Sequence, residues 1–254
     1  MRKRVDVVDL AIFTVAVYAV TVAVQVYQPA TGGYFNLGEA VIYLAALLRG
    51  PLVAGVAGGV GASIADLSTG YSIFAPGTLV IKFIEGVAAG LLVAKLGRKV
   101  KPFYGFIVGA LYTVLLLVFA VYYWAGKVYF GPEAYFGIGL PSLELVIPLP
   151  VWIAISVVVG GAIAYVLAKR FVQSSEALLL LIAGLLMVMG YFLYEYYVSN
   201  PLTGRPPEAA IAEVPINIGQ AVIGVSVAIP LAGWLRRAGY AEESARGKDI
   251  QSRI

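Results

Sequence analysis

The chain contains neither cysteine nor histidine. Disulfides, a thiolate nucleophile, an imidazole base and the usual zinc sites are thereby excluded. Charge is scarce too, at 13% of 254 residues against 61% hydrophobic, where a soluble domain carries about a quarter charged residues. No Gly-Lys-Ser/Thr phosphate loop occurs, so the chain does not hydrolyse ATP by that route. The glycine run "GVAGGVGASIAD" follows no strand and spaces Gly55, Gly58, Gly59 and Ala62 as a close helix-packing face. Gly86 and Gly90 extend the same pattern in "EGVAAGLL".

What the chain has in quantity is long apolar runs, with a mean hydropathy of +0.89. Windows near 8–27, 103–125, 147–168 and 177–194 are almost free of charge, the length a bilayer crossing needs. Eight membrane segments are expected, at about 8–27, 37–49, 51–67, 77–96, 103–125, 147–168, 176–198 and 211–235. The first follows "MRKR" as a signal peptide would, but no small-residue cleavage site follows it and "YQPATGG" reads as a helix exit. The second is short, so it either begins earlier, near Tyr34, or runs against protein rather than lipid. With the N-terminus inside, fifteen of the eighteen Lys and Arg fall on the cytoplasmic side, leaving only Lys82, Lys127 and Arg205 elsewhere. The net charge of +4 therefore reports sidedness and not nucleic-acid binding. Both termini are expected in the cytoplasm, with 237–254 a polar tail. The outer loops, such as "VYQPATGGYF" and "VYFGPEAYFGIG", are rich in Tyr, Phe, Gly and Pro. That composition fits an interfacial aromatic belt and equally a pocket that encloses a small molecule.

On this topology the intramembrane polar residues share one depth. Glu39, Asp66, Lys82, Glu85 and Glu195 fall near the outer ends of their segments, with Tyr191 beside the last. Glu213, Asn217 and Gln220, spaced by four and three, share a helix face at the same level. Each has an ordinary structural explanation: Asp66 as a cap, Lys82 with Glu85 as an internal pair, Asn217 and Gln220 as helix glue, Glu39 and Glu195 reaching for water. Their common depth favours an outward-opening polar pocket. Tyr34, Asn36, Tyr71 and Phe74, from the adjoining outer loops, complete the candidate lining. A cationic Lys82 would suit a carboxylate or phosphate on the ligand, with Glu85, Asn217 and Gln220 orienting amides or hydroxyls.

The stretch "FNLGEAVIYLAALLRGPLVAGVAGGVGASIADLSTGYSIFAPGTLVIKFIEGVAAGLL", with "GLLMVMGYFLYEYY" and "EAAIAEVPINIGQAVIGVSVAIPL", resembles the substrate-binding subunits of energy-coupling factor transporters, the S components. The similarity covers 35–92 and 184–231 in the family's order. It implies a six-helix membrane protein that binds a vitamin or related micronutrient near the extracellular face. It also implies a transmembrane coupling subunit and two cytoplasmic ATPases as partners, and neither an enzyme activity, a cofactor nor a metal. Asp66, Lys82, Glu85, Asn217 and Gln220 occupy the motif positions. The family's alanine-rich docking face on the first helix is matched loosely by Ala16, Ala19 and Ala23.

The expected architecture is thus an all-α polytopic membrane protein, one domain over 1–254. It divides into four helices (1–101), an additional helical hairpin (102–170) and the last two helices (171–236). Two rival functions fit the composition. One is a standalone ion-coupled carrier, against which no internal repeat is visible and the polar groups sit off-centre. The other is an intramembrane enzyme using Asp66 and Glu85, whose spacing matches no catalytic pair.

Overall fold

The structure is a computed structural model, and it describes residues 6–29, 31–96, 110, 113–114, 117–118, 126–132, 134–140, 143–168 and 174–240. The element order is α1 (Val7–Ala23), β1 (Val26–Gln28), β2 (Gly33–Phe35), α2 (Gly38–Arg49), α3 (Pro51–Ser68) and α4 (Ala75–Leu96). Then come β3 (Gly126–Phe130), β4 (Ala134–Tyr135), β5 (Ile138–Gly139), β6 (Leu143–Ile147), α5 (Leu149–Ala168), α6 (Ser174–Tyr194) and α7 (Val214–Arg237). Seven of the eight expected segments are helices at the expected places. The segment at 103–125 lies almost entirely outside the described residues, as do 1–5, 97–101 and the tail from 241. Among the described residues, four stretches are long and apolar enough to cross a bilayer: Pro51–Ser68, Ala75–Lys95, Glu176–Leu202 and Pro207–Arg237.

The short second helix resolves in favour of burial in protein. Tyr34 belongs to β2 and not to an extended α2. All of α2 from Gly38 to Leu48 except Val41 is buried, so this helix is enclosed on every side and forms the centre of the bundle. It packs against α1, α3, α4 and α7. Gly50, at φ 88°, and Pro51 at the first helical position turn the chain straight from α2 into α3.

Small residues draw α3 and α4 together. A Cβ placed on Gly86 would sit 2.4 Å from the Ala54 carbonyl oxygen, and one on Gly59 2.6 Å from that of Leu79. In hydrocarbon, where apolar burial supplies no drive between helices, such backbone proximity is what holds them. The end of the bundle opposite the polar cluster is tied by arginines. Arg49 meets Asp9 at 2.7 Å, while Arg236 meets Glu176 at 3.3 Å and donates to the Leu47 carbonyl at 2.9 Å.

The outer loops depart from the all-α expectation. β1 pairs antiparallel with β2 (Tyr27 opposite Tyr34) and with β3 (Val26 opposite Phe130), and β3 pairs with β6, giving the order β2-β1-β3-β6. The residues "VYQ", "GYF", "GKVYF" and "LELVI" are β-branched and aromatic between Gly and Pro turns, which suits strands. Backbone groups at the membrane edge need partners, and a ladder supplies them. The outer loop of the 102–170 segment thereby joins the sheet that covers the first loop. Its tip hydrogen-bonds across the bundle end, Phe136 N–H to the Ser68 carbonyl at 2.7 Å.

Candidate functional site

Five elements bring polar side chains to the same end of the bundle. β2 supplies Tyr34, the end of α3 supplies Asp66, and the start of α4 supplies Thr78 and Lys82. The end of α6 gives Tyr191, and α7 gives Asn217 and Gln220. Two irregular stretches complete the wall. α6 runs into a π-helical turn, Glu195–Ser199, which begins with Glu195, and a 3₁₀ stretch, Pro207–Glu213, ends on Glu213 just before α7. Such departures from α geometry re-aim side chains and recur at functional sites. Together these residues surround a cavity of about 390 Å³, its open mouth included, also lined by Gly33, Asn36, Ala62 and Phe74.

At the cavity floor lies a buried charge network. Lys82 Nζ contacts the Glu39 carboxylate and lies 3.3 Å from Glu85 Oε2, while the Tyr43 hydroxyl donates to Glu85 Oε1 at 2.7 Å. Glu39 and Glu85 are completely buried and Lys82 nearly so. The ammonium also stands 5.4 Å from the centre of the Tyr191 ring, within cation–π range. Lys82 therefore answers two carboxylates from two different helices. An anionic ligand group, the partner expected for Lys82, would meet that ammonium with both carboxylates already beside it.

Higher in the cavity, the Tyr34 hydroxyl donates to Asp66 Oδ1 at 2.5 Å, and Tyr191 donates to Thr78 Oγ1 at 3.0 Å. Burial, and after it the Asp66 charge, pushes the Tyr34 phenol well above its usual range. Tyr34 and Tyr71 stack at 4.3 Å between centroids, with Phe74 in the same cluster. Gln220 ties two elements, accepting from the Asn36 backbone N–H at 2.7 Å and donating to Asn217 Oδ1 at 2.8 Å. The Asn36 side chain in turn accepts from the N–H of Gly38, the first residue of α2, at 2.8 Å. Thr31 donates to Glu213 Oε2 at 2.6 Å.

Nine of the twelve candidate residues line the cavity: Tyr34, Asn36, Asp66, Phe74, Lys82, Tyr191, Glu195, Asn217 and Gln220. Glu39 and Glu85 stand behind Lys82, and Tyr71 stands behind Tyr34. Gly33, Ala62 and Thr78 are lining residues that the sequence reading omitted, since none carries a charge or an intramembrane anomaly. Glu213 was visible as part of the polar face shared with Asn217 and Gln220. On α1, Ala19 and Ala23 are exposed while Ala16 is half-buried. The exposed residues of α1 are Val7, Val8, Ala11, Ile12, Val15, Ala19 and Ala23, an apolar face that mixes alanine with larger side chains. Among the described residues, no group of His, Cys, Asp and Glu could hold a metal ion.

Comparison with known proteins places this geometry. Residues 2–143 match the family described as the ECF-type riboflavin transporter, S component. A protein of Pyrococcus woesei, known as an uncharacterized protein in a gap 3' region, is 36% identical over 155 residues, 61% of this chain and 96% of that protein. No solved structure matches the chain. With its apolar helices and more than half its length within the match, the chain belongs to the energy-coupling factor transporter S-component family, as an integral membrane protein.

Proposed function

We propose that this chain captures a vitamin-like small molecule at the extracellular face and passes it to an ATP-driven coupling module for import. The observation that carries the reading is the cavity itself. Polar groups from five elements converge on one cleft at one end of an otherwise apolar bundle. Aromatic walls (Tyr34, Phe74, Tyr191) alternate with hydrogen-bonding groups (Thr78, Asn217, Gln220), a lining suited to a flat, heteroatom-rich ring system. Riboflavin is the first candidate, by the name of the matching family. The partners are a transmembrane coupling subunit and two cytoplasmic ATPases, by membership in the family.

The test is titration of the detergent-purified protein with riboflavin, read by quenching of flavin fluorescence. Saturable binding of one flavin per chain, with a melting temperature that rises with flavin concentration, is the expected result. Absence of binding by riboflavin and by a panel of other vitamins, with the protein folded, would refute capture as its role.

A further inference from the structure

The four-stranded sheet is buried at one edge and bare at the other. β2, the first edge, gives Gly33 and Tyr34 to the cavity, and both are buried. β6 forms the opposite edge, three strands away, about 14 Å at the usual strand spacing. Leu143, Glu144, Leu145 and Val146 are all exposed, although side chains along a strand alternate between its two faces. Neither face of β6 is covered by protein, so the strand projects beyond the outline of the bundle. The β4–β5 hairpin before it is as bare. Phe136 and Ile138 are 70% and 71% exposed, and Leu140 is exposed beside them. Residues 134–147 contain a single charge, Glu144. A large exposed apolar patch of this kind marks a contact surface.

Continuity says what covers it. β6 runs through Pro148 directly into α5, whose exposed Val151, Ile153 and Val157 lie on the surface an integral membrane protein turns to lipid. The tip is also set at the level of the helix ends. Phe136 N–H donates to the carbonyl of Ser68, the last residue of α3, at 2.7 Å. The Tyr135 hydroxyl lies 3.1 Å from that of Tyr18, five residues before the end of α1. The turn itself carries a second signal. Tyr135 pairs with Ile138, which leaves Phe136 and Gly137 as a two-residue turn with φ of 47° and 80°. Such turns favour Asn-Gly, and a left-handed backbone is an outlier for a bulky residue. A phenylalanine held there, with its ring turned outward, implies a use for that ring outside the protein.

We propose that the β4–β5 tip and the β6 edge rest in the lipid interface at the cavity end of the bundle, with Phe136 and Ile138 seated at the boundary of headgroups and acyl chains. The depth is bounded from both sides. Full exposure to water would leave the apolar patch unburied. Hydrocarbon is closed to the strand, because the unpaired N–H and C=O groups of a sheet edge find no partner there. Side chains anchored in this way reach about 5–10 Å into the headgroup and acyl boundary. The contact does not depend on what the cavity holds.

With no native cysteine, the full chain accepts a single nitroxide label at any chosen site. Phe136→Cys and Ile138→Cys are labelled and reconstituted in liposomes of phosphatidylcholine and phosphatidylglycerol. Electron paramagnetic resonance power saturation then compares collision with oxygen, which enters lipid, and with a water-soluble nickel chelate. Glu208→Cys, exposed before α7, is the reference for water, and Val157→Cys, exposed on α5, is the reference for hydrocarbon. The expected result is an oxygen-to-nickel ratio between the two references at both sites, at a depth of about 5–10 Å. Labels as open to nickel as Glu208→Cys overturn the proposal, because the tip then stands in water. Labels shielded from both reagents also overturn it, because a second copy of the chain then covers the patch. Each variant is checked by thermal melting, and Val146→Cys on β6 replaces a site whose variant does not melt cooperatively.

Discussion

Replacing Lys82 by Met tests the buried network directly. The ammonium is the common partner of two completely buried carboxylates on separate helices, Glu39 of α2 and Glu85 of α4. Met fills similar volume but leaves those carboxylates facing each other, with only the Tyr43 hydroxyl to answer Glu85. Removing one partner from a buried ion pair costs about 3–5 kcal/mol. For a chain of this size, about 2–4 °C per kcal/mol translates that loss into a melting temperature lower by roughly 6–20 °C. Thermal unfolding of the detergent-solubilised protein, followed by circular dichroism, reads the effect. The compensated variant Glu39→Gln/Lys82→Met/Glu85→Gln removes the orphaned charges and is expected to recover most of the loss. A Lys82→Met protein that melts within about 2 °C of the wild type would refute the reasoning, as would a triple variant less stable than the single one.

Three further outcomes follow. Gly86→Ala is expected to lower stability by about 1–3 kcal/mol, because its Cβ would lie 2.4 Å from the Ala54 carbonyl oxygen; Gly161→Ala on α5, with nothing within 4 Å, is expected to leave the melting curve in place. Tyr34→Phe removes the donor to Asp66 Oδ1 and is expected to cost about 1–3 kcal/mol by the same melting assay. Because the chain has no native cysteine, Ser72→Cys in the exposed turn before α4 is expected to react with a membrane-impermeant maleimide on intact cells. Tyr240→Cys, 63% exposed beyond α7, is expected to react only after permeabilisation.

The helical frame was legible because bilayer crossing imposes a length and a polarity that few other structures share. Positive loop charges then gave an expected sidedness. The polar cluster was legible for the same reason: Asp66, Lys82, Glu85 and Glu195 are conspicuous in hydrocarbon. Their partners were not. Lys82 and Glu85 are three residues apart and were paired on that spacing, whereas Glu39 reaches Lys82 only because α2 is threaded through the bundle centre. Burial of α2 on all sides leaves no amphipathic pattern from which its neighbours could be read. The outer sheet escaped notice because strands of two to five residues carry too little periodicity, and their Tyr and Phe content fitted an aromatic belt equally well. Gly33, Ala62 and Thr78 line the cavity through position alone. At Lys82 the charge was legible in the sequence, and the second carboxylate across the bundle, Glu39, was not.

The central claim is that ligand occupies the cavity at the outer end of the bundle. Ala62, 5% exposed, lines that cavity from α3, so Ala62→Phe fills it while leaving Glu39, Lys82 and Glu85 unsubstituted. The decisive measurement is riboflavin titration of this variant beside the wild type, with melting curves confirming that both are folded. The account predicts that affinity falls about tenfold or more, as overpacking of an occupied space requires. Riboflavin binding by the wild type that persists unchanged in Ala62→Phe would contradict it.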